Sequence, residues 1–385
     1  MNKIIKSMLM MVVGLGLLTA CSDDTDSNPT VVTPTKFVLN TPAAASQPID
    51  LTNSTTVNLT CSQPDYGFPA STGYTVQVSL KSDMSDSIEI AQVFSSVNIN
   101  LDAYTLASAL TQLELSEGKT EQDFPLVSKV YLRLKAQMLT STNSPVPGTE
   151  ILSNVISLDK VMFEFSLPPV TVPEKLYVMG NFTDGKWDKA VEMVMVNGTT
   201  NVFWAMVYVD ADGIMFNSAM AYDGNEVGYA GLNSVSGDLA SQIKDNGGKI
   251  ASDKPQWTLM VVSASVSGRT ILYDVQFLKP EVWLMGLCIG DKDWKELNPA
   301  GLFSVPADAK GSFESPAFTG AVPGGDGDGV RVYVKVPGYD WWKSEFIVIS
   351  GKIVYRGTGG DQQRVAGSVG QKMYLNFATG TGEIK

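Results

Sequence analysis

A chain of 385 residues is too long for one ordinary hydrophobic core and predicts two or three domains of about 100 to 150 residues each. With 44% hydrophobic and 18% charged residues, the composition excludes an intrinsically disordered protein. The formal net charge of −12 argues against nucleic acids and anionic glycans as ligands, because both would be repelled electrostatically. Neutral ligands stay compatible with this charge.

Residues 1–20 have the pattern of a bacterial secretion signal. Lys3 and Lys6 precede the apolar run Leu9–Leu18, which is too short to span a membrane as a mature helix. The run ends in the sequence LTAC, with small residues directly before Cys21. This pattern predicts a lipoprotein signal peptide and a lipid on Cys21. The alternative is an ordinary cleaved signal that happens to be followed by a cysteine.

Residues 21–35 are polar, contain two prolines and lack apolar periodicity, which predicts a flexible tether. Beyond the tether, Cys61 and Cys288 lie far apart, so the sequence predicts buried thiols and no disulfide framework or zinc cluster. Histidine is absent, which removes the commonest general base and metal ligand. We therefore expect no metal site, no cofactor and no histidine-dependent nucleophile.

Short alternating strands separated by Gly, Asn, Asp and Pro fill most of the chain. Tyr74–Leu80 and Tyr131–Ala136 each have one apolar and one polar face, which is typical of antiparallel sandwiches. Between them, Leu101–Leu113 has Tyr104 and three leucines at roughly helical spacing behind Asp102, and this predicts one short helix. These elements fall in a first domain at 36–165 without an exposed aromatic cluster, and we expect it to act as a spacer.

The remainder of the chain contains an internal repeat. The strand LYVMG at Leu176–Gly180 is matched by VWLMG at Val282–Gly286, and three further matches follow in the same order. They are Asp184–Asp188 with Gly290–Lys295, Asp210–Phe216 with Asp326–Val332, and Tyr273–Phe277 with Tyr374–Phe377. The repeat predicts two copies of one domain, at 172–279 and 280–385, after a stiff Pro-rich joint.

Each copy has a tryptophan in the loop after its Met-Gly strand, Trp187 in the first and Trp294 in the second. Flanking Asp, Lys and Gly residues give a loop tryptophan little reason to be buried, and exposed loop aromatics more often bind ligands than pack. We therefore predict that both indoles are exposed and bind a ligand. The alternative is an indole that folds back as a lid on its own domain.

Two further tryptophans, Trp341 and Trp342, follow the strand Val330–Val336 and a Pro-Gly turn. Side chains alternate along a strand, so the valines are predicted to face the core and Arg331, Tyr333 and Lys335 the opposite face. Continued alternation predicts a buried Trp342 and a solvated set that contains Trp341, Lys343 and Glu345. A single β-bulge would reverse this assignment.

Aromatic and basic residues in this arrangement are suited to sugars. One face of a pyranose ring is largely C–H and stacks on an aromatic ring, while its hydroxyl groups need hydrogen-bond donors. In the second copy the predicted site combines Trp294 and Trp341 with the donors Arg331, Lys335 and Arg356. The first copy offers fewer aromatics and is predicted to bind more weakly. Its predicted residues are Trp187, Tyr222 or Tyr229, and Lys249 or Lys254.

The LTAC lipobox with an acidic tether, an immunoglobulin-like or fibronectin-III-like first domain, and tandem domains beginning YVMGN and WLMG resemble the SusE and SusF surface lipoproteins of Bacteroides starch-utilisation systems. The length and the two tandem domains look most like SusE. The resemblance implies an all-β fold of three tandem β-sandwich domains, the last two being carbohydrate-binding-module-like. It also implies non-catalytic binding of starch and malto-oligosaccharides on aromatic arcs, which places Trp187, Trp294 and Trp341 in the sites.

The resemblance further implies a lipid-anchored protein on the cell surface of the outer membrane, beside a TonB-dependent transporter and companion starch-binding lipoproteins.

Three alternatives remain on the sequence alone. A glycoside hydrolase needs two carboxylates facing each other, and no cleft motif supplies them. A calcium-dependent adhesin would use Asp210–Gly213 and Asp326–Gly329, although neither continues into a twelve-residue loop with a terminal Glu. The third is a structural subunit with vestigial sites, or a binder of another neutral glycan.

Overall fold

The computed structural model describes residues 30–325 and 327–385. The predicted signal peptide, Cys21, the first part of the predicted tether and Asp326 lie outside the described residues. The described chain forms strands, short 3-10 helices and one α-helix, so the prediction of an all-β fold is confirmed. It divides into one unit that ends at Pro168 and a second that begins at Pro169. None of its described helices is both long and apolar enough to cross a membrane.

The first unit is built around a mixed sheet and one helix. The elements are β1 (Pro48–Asp50), β2 (Thr56–Thr60), β3 (Thr72–Ser79), β4 (Ile88–Phe94), β5 (Asn98–Asp102), α1 (Ala103–Ser116), a 3-10 helix (Glu121–Asp123), β6 (Leu126–Met138), β7 (Ile151–Leu152) and β8 (Ile156–Phe163). The sheet has the strand order β1-β8-β6-β3-β4, with β7 paired to β6, and β2 pairs separately with β5.

Helix α1 confirms the predicted helix and its cap. The Asp102 carboxylate accepts a hydrogen bond from the Thr105 backbone N–H at 2.7 Å and so satisfies one free donor of the first turn. The three predicted leucines are buried in the core of the unit. Tyr104, which the helical spacing groups with them, is 58% exposed because it lies on the opposite side of the helix from Leu106 and Leu113.

The second unit contains both predicted repeats. Its strands are β9 (Tyr177–Met179), β10 (Val191–Glu192), β11 (Val194–Met195), β12 (Val202–Val209), β13 (Met215–Asn217), β14 (Ser234–Ser236), β15 (Ile243–Asn246), β16 (Lys249–Ser252), β17 (Gln256–Ser267), β18 (Thr270–Leu278), β19 (Val282–Met285), β20 (Phe313–Glu314), β21 (Arg331–Val334), β22 (Glu345–Ile349), β23 (Lys352–Tyr355), β24 (Met373–Asn376) and β25 (Thr381–Ile384). The 3-10 helices are Asn181–Thr183, Trp187–Lys189, Tyr229–Gly231, Ala240–Gln242, Gly286–Ile289, Pro299–Gly301 and Trp341–Ser344.

Four sheets organise this unit. The first repeat forms the sheets β10-β9-β13, β11-β12-β17-β18-β14 and β15-β16, and the second forms the single seven-stranded sheet β19-β21-β22-β23-β25-β24-β20. The strand register agrees with the sequence repeat. Met179 of β9 pairs with Met215 of β13, and Met285 of β19 pairs with Arg331 of β21. Both Met-Gly strands therefore pair with the strand that follows the Asp-Gly turn.

The described residues of the two repeats share one hydrophobic core. Trp204 of the first repeat contacts Phe346 and Tyr355 of the second, with ring centroids 5.8 and 5.4 Å apart. Trp257 of the first repeat packs on Phe313 of the second at 5.4 Å, and its indole N–H donates to a backbone carbonyl of the second repeat at 3.0 Å. The repeats are thus joined by buried aromatic packing, which fixes their arrangement within the unit.

Candidate functional site

The second repeat carries two half-buried indoles on one face of its sheet. The rings of Trp294 and Trp341 lie with their centroids 6.0 Å apart and their planes 22° apart. They rest on a buried base formed by Trp283, Met285 and Tyr333. We call Trp294 and Trp341 the Trp platform. The arrangement gives two nearly parallel, stacked aromatic rings on a buried support.

The backbone of the Met-Gly motif fits one ring of the Trp platform closely. Gly286 has a φ of +81°, and a Cβ atom at this position would lie 2.9 Å from the indole of Trp294. Trp294 itself has a φ of +53°, in the left-handed region that side chains other than glycine seldom occupy. The glycine of the motif therefore gives Trp294 room to approach the strand, and the strained loop fixes the direction of the indole.

Glu296 and Tyr333 hold the loops around the Trp platform. A Glu296 oxygen accepts from the Trp341 backbone N–H at 3.0 Å, and the carboxylate also forms an ion pair with Lys335. The Tyr333 hydroxyl accepts from the Leu297 backbone N–H at 2.8 Å. Burial raises the pKa of Tyr333 to about 12, so the phenol stays neutral at physiological pH. Neither residue was predicted as part of the site.

The predicted donors of the second repeat are held in ion pairs. Lys335 contacts Glu296 and donates to the Tyr339 carbonyl at 2.7 Å. Arg331 and Arg356 both contact the Glu345 carboxylate, at 2.8 and 2.6 Å. Arg331 and Lys335 therefore lie on the same face as the Trp platform, as strand alternation predicts. Arg356 is linked to Arg331 through the Glu345 carboxylate that both contact.

The prediction for the tryptophan pair is wrong in its premise. Trp341–Ser344 forms a 3-10 helix, so strand alternation does not apply to Trp341 and Trp342, and both indoles are half-buried. Trp341 joins the platform, whereas the Trp342 ring lies under the Arg356 guanidinium at 4.7 Å. Glu345, predicted to be solvated, is only 1% exposed because two arginines cover it.

The first repeat differs at the corresponding positions. Trp187 is 4% exposed, so the prediction of an exposed indole is wrong; it lies in a 3-10 helix and folds back onto its own repeat. Tyr222 packs edge to face against it at 5.9 Å and is itself 70% exposed. By strand register, Met215 and Asn217 take the places of Arg331 and Tyr333. The first repeat therefore presents one exposed aromatic where the second presents two indoles.

The remaining predicted residues of the first repeat are Lys249, Tyr229 and Lys254. Lys249 lines a cavity of about 310 Å³ together with Asp184 and Asp212. Tyr229 is half-buried against the core of the unit, and Lys254 is exposed in the turn between β16 and β17. Trp187 and Tyr222 are thus in contact, and the Tyr229 backbone N–H donates to the carbonyl of Gly248, next to Lys249, at 3.0 Å.

In the Asp-Gly turn of the first repeat, the Asp210 carboxylate is occupied by hydrogen bonds within the protein. Asp210 accepts hydrogen bonds from the backbone N–H groups of Asp212 and Gly213, at 3.0 and 3.2 Å, and from the Asn181 side chain at 2.9 Å. The carboxylate is thereby used as a turn cap. In the described part of the chain, no group of three or more Cys, Asp or Glu side chains could hold a metal ion.

Comparison with known proteins identifies similar sequences along most of the chain. A family model described as SusF/SusE starch-specific CBMs, or carbohydrate-binding modules, matches residues 175–273 and 281–383, and one described as SusE outer membrane protein matches residues 23–135. Outer membrane protein SusF of Bacteroides thetaiotaomicron is 37% identical over 254 residues, which are 63% of this chain and 50% of SusF. The chain thus spans about half the length of this curated relative. The crystal structure of SusF from the same organism matches with a TM-score of 0.42 at 21% identity, over 91% of this chain and 100% of that one.

Proposed function

The chain belongs to the family of SusF/SusE starch-specific carbohydrate-binding modules, and from this premise we propose that it binds starch and malto-oligosaccharides at the outer membrane without catalysis. The observation that carries the proposal is the Trp platform. The two stacked indoles differ by 22° in plane, and their solvent-facing surface can stack on the C–H faces of a bound glucan. The half-buried rings would lose little side-chain entropy on binding.

The charge around the Trp platform supports a neutral ligand. The ion pairs beside it join four cationic side chains to three carboxylates, so nearly all of the positive charge is compensated. The guanidinium and ammonium groups keep further N–H bonds for sugar hydroxyls. The cationic residues are Arg331, Lys335, Arg356 and Arg364, and the acids are Glu296, Glu345 and Asp361.

We propose a second, weaker site in the first repeat, centred on Tyr222. Its exposed ring gives one stacking surface, and the buried Trp187 supports it from the side. Trp187 thereby changes from a predicted contact residue to a supporting residue. Lys249, one of the predicted donors, lines a cavity with Gly180 and Gly185, in the segment that precedes Trp187. One aromatic surface stabilises a bound sugar less than two, so the first site should be the weaker.

The location and the partners are proposed from the family. A lipid on Cys21 would hold the protein on the outer membrane, where residues 21–35 act as the tether and the first domain as the spacer. A TonB-dependent transporter and companion starch-binding lipoproteins would take up the captured glucan. The alternative is a structural subunit of such a complex, or a binder of a different neutral glycan.

Calorimetric titration with maltoheptaose tests the proposal. The protein is prepared without its first 21 residues, as the wild type, Trp294→Ala, Tyr222→Ala and the double variant. We expect binding in the wild type and in each single variant, and only residual binding in the folded double variant, at least roughly thirtyfold weaker than in Tyr222→Ala. Absence of heat in the wild type, with saturable heat from a different neutral glycan, would reassign the ligand. Absence of heat with every glycan would favour the alternative that the protein is a structural subunit of the complex.

Substitution of Gly286 by alanine should weaken the second site. A Cβ atom would press against the Trp294 indole and displace it, so we expect roughly tenfold weaker binding of maltoheptaose, or about 1.4 kcal/mol. Gly268→Ala is the matched control, because that glycine also has a positive φ, +58°, but has open space around its Cβ position. Equal affinities of the two variants, measured by calorimetry in the Tyr222→Ala background, would contradict this reading.

A further inference from the structure

Glu345 is a buried acid that the proposed function does not use directly. We propose that Glu345 determines the specificity of the second site, because its carboxylate orients and neutralises Arg331 and Arg356 and so makes the site select neutral glucans over anionic glycans. This inference rests on the proposed function of the Trp platform. Glu345 is too buried to contact a ligand itself, so it would exclude anionic glycans only through the two arginines.

The carboxylate is placed between the two arginines. Glu345 is 1% exposed, and each of its oxygens accepts from one guanidinium: Oε2 from Arg331 at 2.8 Å and Oε1 from Arg356 at 2.6 Å. The side chains of the two arginines are only 11% and 15% exposed. A carboxylate in this position compensates both charges where water is largely excluded, so its electrostatic effect is stronger than at the surface.

The backbone fixes this position. Glu345 is the first residue of β22 and pairs with Tyr333 of β21, so their side chains lie on the same face of the sheet as Arg331. The Glu345 carbonyl also accepts from the Arg356 backbone N–H at 3.0 Å. The acid is therefore held on the binding face by strand pairing on one side and by the Arg356 segment on the other.

The two guanidinium groups lie beside the two adjacent indoles. The Arg331 guanidinium carbon is 6.0 Å from the Trp341 ring, and that of Arg356 is 4.7 Å from the Trp342 ring. The Nε atoms of both arginines are buried and lack a hydrogen-bond partner within the described residues. Without Glu345, Arg331 beside Trp341 and Arg356 beside Trp342 would be left to share the exposed Asp361, at 3.3 and 3.9 Å. A carboxylate or sulfate of an anionic glycan is the group that such an under-compensated pair binds best.

The first repeat lacks this arrangement. Met215 and Asn217 stand in the places of Arg331 and Tyr333, so the first repeat has no arginine to be neutralised at that position. A change at Glu345 should therefore alter the second site alone. A substitution that changes binding at the second site but not at the first therefore acts on specificity, whereas one that weakens both sites has destabilised the protein.

The test compares a neutral with an anionic oligosaccharide. Maltoheptaose and a galacturonate oligomer of similar length are titrated calorimetrically into the Tyr222→Ala protein and into its Glu345→Gln and Glu345→Asp variants. We expect Glu345→Gln to bind maltoheptaose roughly tenfold more weakly. It should also gain galacturonate binding that weakens as salt is added. Glu345→Asp keeps the charge and should still reject galacturonate.

Controls keep the result interpretable. Glu314→Gln removes an acid that pairs with Lys372 at the surface of the same repeat. This variant should leave the affinities for maltoheptaose and for galacturonate unchanged. If Glu345→Gln does not fold, Asp361→Asn replaces it, because that acid is 54% exposed and pairs with Arg331 and Arg364. A folded Glu345→Gln protein, or the Asp361→Asn protein that replaces it, that rejects galacturonate like its parent would overturn the inference and leave the proposed function intact. A parent that fails to bind maltoheptaose would overturn both.

Discussion

Replacement of Trp294 by alanine should weaken maltoheptaose binding at the second site by at least about 2 kcal/mol, or roughly thirtyfold. The variant loses one of the two stacking surfaces and also leaves the Trp341 ring without its neighbour 6.0 Å away. Calorimetry in the Tyr222→Ala background measures this affinity without a contribution from the first repeat. The effect should appear mainly as faster dissociation, since the site is preformed.

The matched control for this variant is Tyr104→Ala. Tyr104 is also an aromatic side chain, 58% exposed, but it belongs to the first unit, which contains neither proposed site. Its removal should leave the affinity unchanged. Equal affinities of Trp294→Ala and its parent, with both proteins folded, would show that the Trp platform does not contact the glucan.

Replacement of Trp204 by alanine should destabilise the second unit by about 3 to 5 kcal/mol. The indole is fully buried and packs on Phe346 and Tyr355 of the other repeat, so its removal leaves a cavity between the repeats. Chemical denaturation followed by tryptophan fluorescence measures the loss. Val369→Ala, at a 64% exposed position, is the control and should change stability by less than about 0.5 kcal/mol.

The same experiment tests whether the repeats unfold together. Because they share one core, we expect a single transition for the second unit in the wild type, at a lower denaturant concentration in Trp204→Ala. Two separate transitions in the wild type, with only one of them shifted in the variant, would indicate that the repeats are stable independently.

Strand alternation and the internal repeat predicted much of this architecture. Alternation placed Val330, Val332, Val334 and Val336 in the core, and all four are buried. The order of the matched motifs agrees with the strand register, in which β9 and β19 pair with corresponding strands. Both signals depend on local geometry, with period two along a strand, and local geometry is what a sequence pattern reports.

The errors concern side chains whose position depends on tertiary contacts. Polar neighbours predicted an exposed Trp187, but the loop folds back and Tyr222 packs on it. The prediction that side chains go on alternating through Trp341 and Trp342 was wrong, because residues Trp341–Ser344 form a 3-10 helix. The burial of Glu345 depends on its contacts with Arg331 and Arg356, which strand alternation does not report.

The central claim, that the Trp platform binds an α-glucan, is tested most directly by NMR of the indole N–H groups. The chain has seven tryptophans, so their side-chain signals can be assigned by substitution and followed during titration with maltoheptaose. We predict saturable shifts for Trp294 and Trp341 and unchanged signals for Trp204 and Trp257, which lie in the shared core. Signals of Trp294 and Trp341 that stay fixed while the protein binds maltoheptaose would contradict the assignment.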